Sequence, residues 1–249
     1  MVPNGVTVGE QLGLRREDCV SYYPKRAAEL KVKLAPLVRW SVALAIASAL
    51  AAMARYPGGT PLDPTSTRYS LSRNFLSDLG MTVAYNHQPN RVGASLFVFS
   101  LLLLVVGLGH AVVRIARRLA DHPPARRWAR LAAVCGLIAC VAFAGVAVTP
   151  ENRVMAIHMA FTQWAWRIAP VVAGLLALAS LDSPGLRRRV AAVWFVVALL
   201  LAAYAALMAW GSSAATADGL VVQVVAQKIA VAIVLAALLF VSRDVDVLV

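Results

Sequence analysis

The chain has 249 residues, 60% of them hydrophobic and 14% charged, with a formal net charge of +12. A soluble domain carries about 25% charged and about 45–50% apolar residues, so a soluble class is excluded, and the apolar content excludes disorder. Fifteen glycines without a period and three cysteines exclude a collagen-like or disulfide-bonded scaffold.

A spanning helix needs about 20 mostly apolar residues, because the hydrocarbon core is about 30 Å thick and a helix rises about 1.5 Å per residue. Six stretches meet that requirement: 34–54, 92–113, 131–148, 154–180, 190–210 and 220–241. Each is rich in Ala, Val and Leu, and none has the alternating period of a barrel strand. The expected fold is therefore an all-α bundle of six transmembrane helices. Residues 1–33 read as a basic cytoplasmic tail, 34–242 as the transmembrane domain and 243–249 as a short cytoplasmic C-terminus. The first span follows a polar tail too long for a signal-peptide n-region and is read as an uncleaved anchor.

Seventeen of the 24 basic residues fall in the tail, the second and fourth connections and the C-terminus, and five in the first and third connections. By the positive-inside rule both termini are expected in the cytoplasm, with the protein integral to the cytoplasmic (inner) membrane. The charge is thus a topology signal. Basic clusters beside spans also suit anionic lipid headgroups, and nothing resembles a nucleic-acid module. Cys19 lies in the tail, and Cys135 and Cys140 lie in the third span without metal-ligand or disulfide spacing, so free packing thiols are expected.

The first connection, about 55–91, is the long outer loop. It opens with turn residues: Pro57, Gly58, Gly59, Pro61, Asp63 and Pro64. Ser72 as an N-cap and Gly80 as a stop predict a short helix near 72–79. On that helix Leu71, Phe75 and Leu79 form an apolar stripe, and Asn74, Ser77 and Asp78 a polar one. The polar stripe either faces a cavity or belongs to a capped loop in which Asp78 pairs with Arg73 or Arg91. The four histidines do not cluster, and His110 and His158 fall on opposite sides of the membrane, which excludes a bis-His haem. Asp78, His87 and His158 share the outer side but lack a local ligand motif, so no metal and no cofactor is assigned.

Three features lie within or beside the later spans. His158 is about one turn inside span four. Arg167 follows on the opposite face of that helix, is expected to snorkel to the inner interface and shares its face with Gln163 and Trp164. Pro170 is expected to kink the helix. Lys228 stands about 12 Å into span six near Gln223 and Gln227, where it needs an acid, carbonyls or water. No span interior holds Asp or Glu, so an acidic partner must come from Asp78, Glu151 or Asp218 at the outer rim.

The run Asn74-Phe-Leu-Ser-Asp-Leu-Gly80, Asn90 before span two, Val148-Thr-Pro-Glu-Asn152 and His158-Met-Ala-Phe161 occur in order. Together they resemble a bacterial six-span membrane family of unknown function, domain-of-unknown-function family nine-nine-eight. That family is distantly similar to the FRAG/DRAM/Sfk group. The resemblance covers roughly residues 35–242. It implies six helices and a site built from Asn74, Ser77, Asp78 and His158, and it implies no reaction, so whether the chain is an enzyme stays open. The eukaryotic group is linked to membrane lipid organisation, a fold-level analogy.

Three functions follow as expectations. The first is an outward-facing site that binds or processes a lipid or other amphiphile. In it Asp78 and His158 act as an acid–base pair, and Asn74, Ser77, Glu151, Arg167, Gln227 and Lys228 hold the ligand. The second is a non-catalytic subunit or scaffold that packs on partner membrane proteins or on copies of itself. The third, a small-solute transporter, lacks the paired repeats that would support it.

Overall fold

The computed structural model describes residues 34–183 and 188–247. The tail with Cys19 lies outside the described residues, as do Arg187 and the last two residues of the C-terminus.

The described chain forms six long helices: α1 (Leu34–Arg55), α2 (Arg91–Ala120), α3 (Arg126–Val148), α4 (Glu151–Leu181), α5 (Arg188–Trp210) and α6 (Ala217–Val247). Each is long and apolar enough to cross a membrane. Among the described residues extended pairing is confined to two isolated bridges in the outer loop, Thr60 with Asp63 and Val83 with Pro89. The all-helical architecture follows from the solvent: in hydrocarbon every backbone polar group needs an internal partner, and a helix supplies it within one segment. The chain is an integral membrane protein.

Several helices run past their predicted apolar limits. Helix α2 continues to Ala120, so Arg114, Arg117 and Arg118 lie on its last turns, where cations suit the helix macrodipole. Pro123 and Pro124 then end it, and α3 starts at Arg126. Helix α6 reaches Val247, so the segment expected as a short C-terminus is helical up to that residue. Within α4, Pro170 keeps helical backbone angles, and the residue with non-helical angles is Val154 (φ −139°, ψ 52°), one turn after Pro150.

Sequential helices pack side by side, and α6 closes the bundle between α1 and α5. Helices in lipid gain no hydrophobic drive from meeting each other, so close approach over small residues carries the packing. A Cβ on Gly136 would stand 2.6 Å from Val112, and one on Gly145 2.4 Å from the Phe161 ring. The buried interior holds Ile115, Leu119, Trp166, Leu176, Trp194 and Leu201, with Trp166 packed edge-on between Phe143 and Tyr204. The largest apolar side chains that face outward, such as Trp40, Val106, Val141 and Phe195, are more than half exposed and meet the bilayer.

The outer loop folds onto the ends of α1 and α2 around a small cluster of Tyr56, Leu79, Ala84 and Phe97. Its entry turn uses Gly58 and Gly59 at φ +124° and +84°. The predicted helix over 72–79 is not formed. The segment is a set of turns that ends in one 3-10 turn, Ser77–Gly80. Side-chain competition explains the difference, because Asn and Ser offer the backbone partners other than the helical ladder. Asn74 Oδ1 accepts from the Ser70 amide at 2.9 Å, and the Tyr69 hydroxyl donates to the Asn74 and Phe75 carbonyls at 3.1 and 3.2 Å. Of the expected apolar stripe, Leu79 is buried and Phe75 half-buried, but Leu71 is not. Leu71 is 65% exposed, whereas Asn74 and Asp78 are both at 0%.

Candidate functional site

Asn74 and Asp78 form the clamp of the outer loop. The Asn74 amide donates to the Gly59 carbonyl at 3.0 Å and to Asp78 Oδ2 at 2.9 Å. The Phe75 backbone amide donates to the same carboxylate oxygen at 3.0 Å. These bonds draw the 58–60 turn, the 74–76 turn and the 3-10 turn together. Asp78 Oδ1 is buried and has no hydrogen-bond partner. Burial, and then the charge of Glu151, hold the Asp78 carboxyl well above the usual carboxylate range; the Asn74 and Phe75 donors and Lys228 oppose that shift. Tyr56, Tyr69 and Tyr85 surround this region, and burial followed by the Asp78 charge raises all three phenols.

His158 and Glu151 belong to a separate brace at the top of α4. His158 is 2% exposed. Its Nδ1 lies 2.6 Å from the Thr149 carbonyl. A carbonyl only accepts, so Nδ1 carries the proton. Nε2 faces Glu151 Oε2 at 3.9 Å, and the Tyr85 hydroxyl lies 3.5 Å from Glu151 Oε1. The break at Val154 lets the first turn of α4 fold so that Glu151 meets His158. Asn152 joins the same brace by accepting from the Thr82 amide at 2.9 Å.

The expected acid–base pair is therefore not assembled. Asp78 Oδ2 is engaged with Asn74 and Phe75, and His158 Nδ1 with the Thr149 carbonyl, while Nε2 faces Glu151. Nor does Asp78 pair with Arg73 or Arg91; its partners are neutral amides. Neutral amides at 2.9–3.0 Å satisfy a buried oxygen without bringing a second charge out of water.

Lys228 and Gln227 come from α6 and meet the loop from below. Gln227 Oε1 accepts from the Leu76 amide at 2.8 Å. Lys228 Nζ donates to the Asn74 carbonyl at 2.6 Å and lies 5.4 Å from the centre of the Tyr69 ring. Among the described residues Lys228 forms no ion pair. Gln223, one turn earlier, ties α6 to the Leu207 and Ser212 carbonyls.

Beneath this roof lies a cavity of about 330 Å³. Ser77, Gln227 and Lys228 line its polar end, and its walls are Ala45, Phe97, Leu101, Phe143, Trp166 and Leu235, among others. Thr162 Oγ1, buried and without a partner, also lines it. Ile46 (41% exposed), Leu50 (58%) and the exposed Ala232 are lining residues too, so the cavity opens sideways between α1 and α6. A second apolar cavity of about 120 Å³ continues from it toward Val112, Leu176 and Trp194 and shares Leu104, Phe143 and Trp166 with the first. The site is thus amphipathic: one cation and a few polar groups at the loop end, and hydrocarbon below.

Of the residues expected at one site, the structure brings Ser77, Gln227 and Lys228 to the cavity. It places Asn74 and Asp78 in the clamp above, and Glu151 and His158 in the α4 brace. Arg167 is apart from all of them, exposed on the outside of α4 with no hydrogen bond, ion pair or ring contact, Trp164 included. Sequence reading missed Thr162 and the lateral mouth. Thr162 was legible one turn from His158, but the mouth needs α1 and α6 side by side.

No family model matches the chain, and no curated protein or solved structure does.

Proposed function

We propose that this protein binds an amphiphile with a single apolar tail and an anionic or acceptor-rich head, taken from the bilayer through the opening between α1 and α6. The observation that carries this reading is the cavity of about 330 Å³ with Lys228 at one end and hydrocarbon along the rest. A lysine held in an apolar bundle without a carboxylate partner is costly unless its remaining N–H groups are used. One bonds the Asn74 carbonyl, and two are left for a headgroup. Ser77 and Thr162 add a hydroxyl each, and the tail fills space too apolar to hold ordered water. The basic bias supports an orientation with both termini in the cytoplasm, the loop outside and the site in the outer leaflet of the cytoplasmic membrane. Membership of the six-span family that the loop motif resembles belongs to the same proposal. The function is binding; Asp78 and His158 build the roof.

The test uses the purified protein in detergent and 11-(dansylamino)undecanoate, a fluorescent single-chain carboxylate. Lys228→Met weakens binding by roughly 10- to 100-fold through loss of a charge-assisted contact. Ala232→Phe blocks the mouth and lowers binding without altering thermal stability. Equal fluorescence enhancement in the wild type and both variants would defeat the reading.

A further inference from the structure

Arg167 falls midway along α4 (Glu151–Leu181). His158 stands beside Thr149 at the outer end of α3, and nine residues further on Arg167 is about 14 Å deeper by helix rise. Toward the other end, Asp182 bonds Trp128 near the inner end of α3, about 22 Å beyond Arg167. Outward-facing apolar side chains continue on both sides of it along α4, from Met155 (51% exposed) to Leu181 (64%). An arginine side chain reaches only about 6–7 Å, so the expected snorkelling to the inner interface does not bring this guanidinium to water. Yet Arg167 is exposed on the bundle surface and touches no polar partner.

The surrounding face suits a helix rather than lipid tails. Gln163 and Trp164 are exposed one turn above, and Val171 one turn below. Gly174, two turns below, has open space where a Cβ would stand, so a neighbouring backbone can approach there. We propose that this face of α4 docks a membrane-spanning helix of a different protein, one that carries an aspartate or glutamate at mid-bilayer.

Charge complementarity selects that occupant over a second copy. Among the described spans, the only carboxylates up to Val241 are Glu151 and Asp218, both in first turns at the outer ends. A second copy therefore offers no acid at the depth of Arg167, and a two-fold axis along the membrane normal sets Arg167 against Arg167. The inference is independent of the cavity, because Arg167 lines neither compartment.

The experiment places a photo-crosslinking residue at Val171 in the full chain, in its native membrane. Adducts are identified by mass spectrometry in the wild type and in Arg167→Leu. The expected adduct maps to a foreign spanning helix with a central Asp or Glu. Its yield falls by roughly tenfold in Arg167→Leu. Yield returns when Arg167→Asp is combined with replacement of the partner's acid by Lys. A separate measurement on the purified protein in lipid nanodiscs guards against a folding artefact. There the partner is absent, and Arg167→Leu melts no lower than the wild type. The proposal is overturned by adducts only with lipid or with a second copy, by no adduct, by an adduct indifferent to Arg167, or by a lower melting temperature in the nanodisc.

Discussion

Replacing Asp78 by Asn and by Ala separates a structural clamp from an acid–base group. Asp78 Oδ2 accepts from the Phe75 amide and the Asn74 side chain, at 3.0 and 2.9 Å. Asn at this position keeps one oxygen for both donors and places its amide where the unpartnered Oδ1 stands. It also removes a carboxylate that burial and Glu151 both disfavour. Asp78→Asn is therefore expected within about 1 kcal/mol of the wild type. Ala strands two buried donors, each worth about 1–3 kcal/mol, offset in part by the lost carboxylate desolvation, so a net cost of about 2–4 kcal/mol is expected. That corresponds to a drop of roughly 5–15 °C in melting temperature for a chain of this size. The pH dependence has a definite sign. The folded carboxyl titrates above its ordinary value of 3.8, so the folded state holds the proton more tightly than the unfolded state. The contribution to stability is complete below about pH 3.8 and declines as pH rises through the folded-state value. Asp78→Asn flattens that decline. The assay is thermal unfolding in detergent from pH 4 to pH 9, followed by intrinsic fluorescence. A wild-type-like Asp78→Ala, or an Asp78→Asn as damaged as Asp78→Ala, would refute the clamp.

Three further outcomes are expected. Gly59→Ala adds a Cβ 2.3 Å from the Asn86 backbone nitrogen at a φ of +84°, and it disturbs the carbonyl that Asn74 uses. It costs more than about 2 kcal/mol in the same assay, and an unchanged midpoint would show that the turn relaxes freely. His158→Ala removes the donor to Thr149 and empties a buried site, so stability falls by about 1–3 kcal/mol while dansyl-undecanoate affinity holds. Affinity that falls tenfold or more at unchanged stability would return His158 to the binding site. Gly80→Ala sets a Cβ 2.7 Å from the ring of buried Phe97 and costs about 1–3 kcal/mol by overpacking; a neutral result would mean that the loop floats above α2.

The amino-acid sequence alone determined the solvent and therefore the architecture. Apolar runs long enough to cross the bilayer leave a chain little choice but helices, because backbone groups find no partner in hydrocarbon. Runs such as 190–210 fall inside their helices, and where a helix outruns its apolar part it does so into charged residues, basic on α2 and mixed Arg and Asp on α6. The residue types of the site were legible too: Asn74, Asp78, His158 and Lys228 stand out because polar groups are costly in such a chain. Their grouping was decided by tertiary structure. Asn74 and Asp78, whose spacing left open a cavity-facing stripe or a capped loop, are turned inward, where the 58–60 turn brings the Gly59 carbonyl within reach of Asn74. His158 stands at the Thr149 carbonyl and beside Glu151, in a stretch where the backbone breaks at Val154. Lys228 becomes the head of a cavity because α6 lies beside α1. Most of the basic residues behind the +12 charge fall in the tail, the second and fourth connections and the C-terminus, a bias that the positive-inside rule reads as orientation. The face and depth of Arg167 appear only once the helices are laid side by side. Spacing along a chain sets which residues share a helix face, but which face meets a cavity, a neighbour or the lipid depends on contacts between segments far apart in sequence.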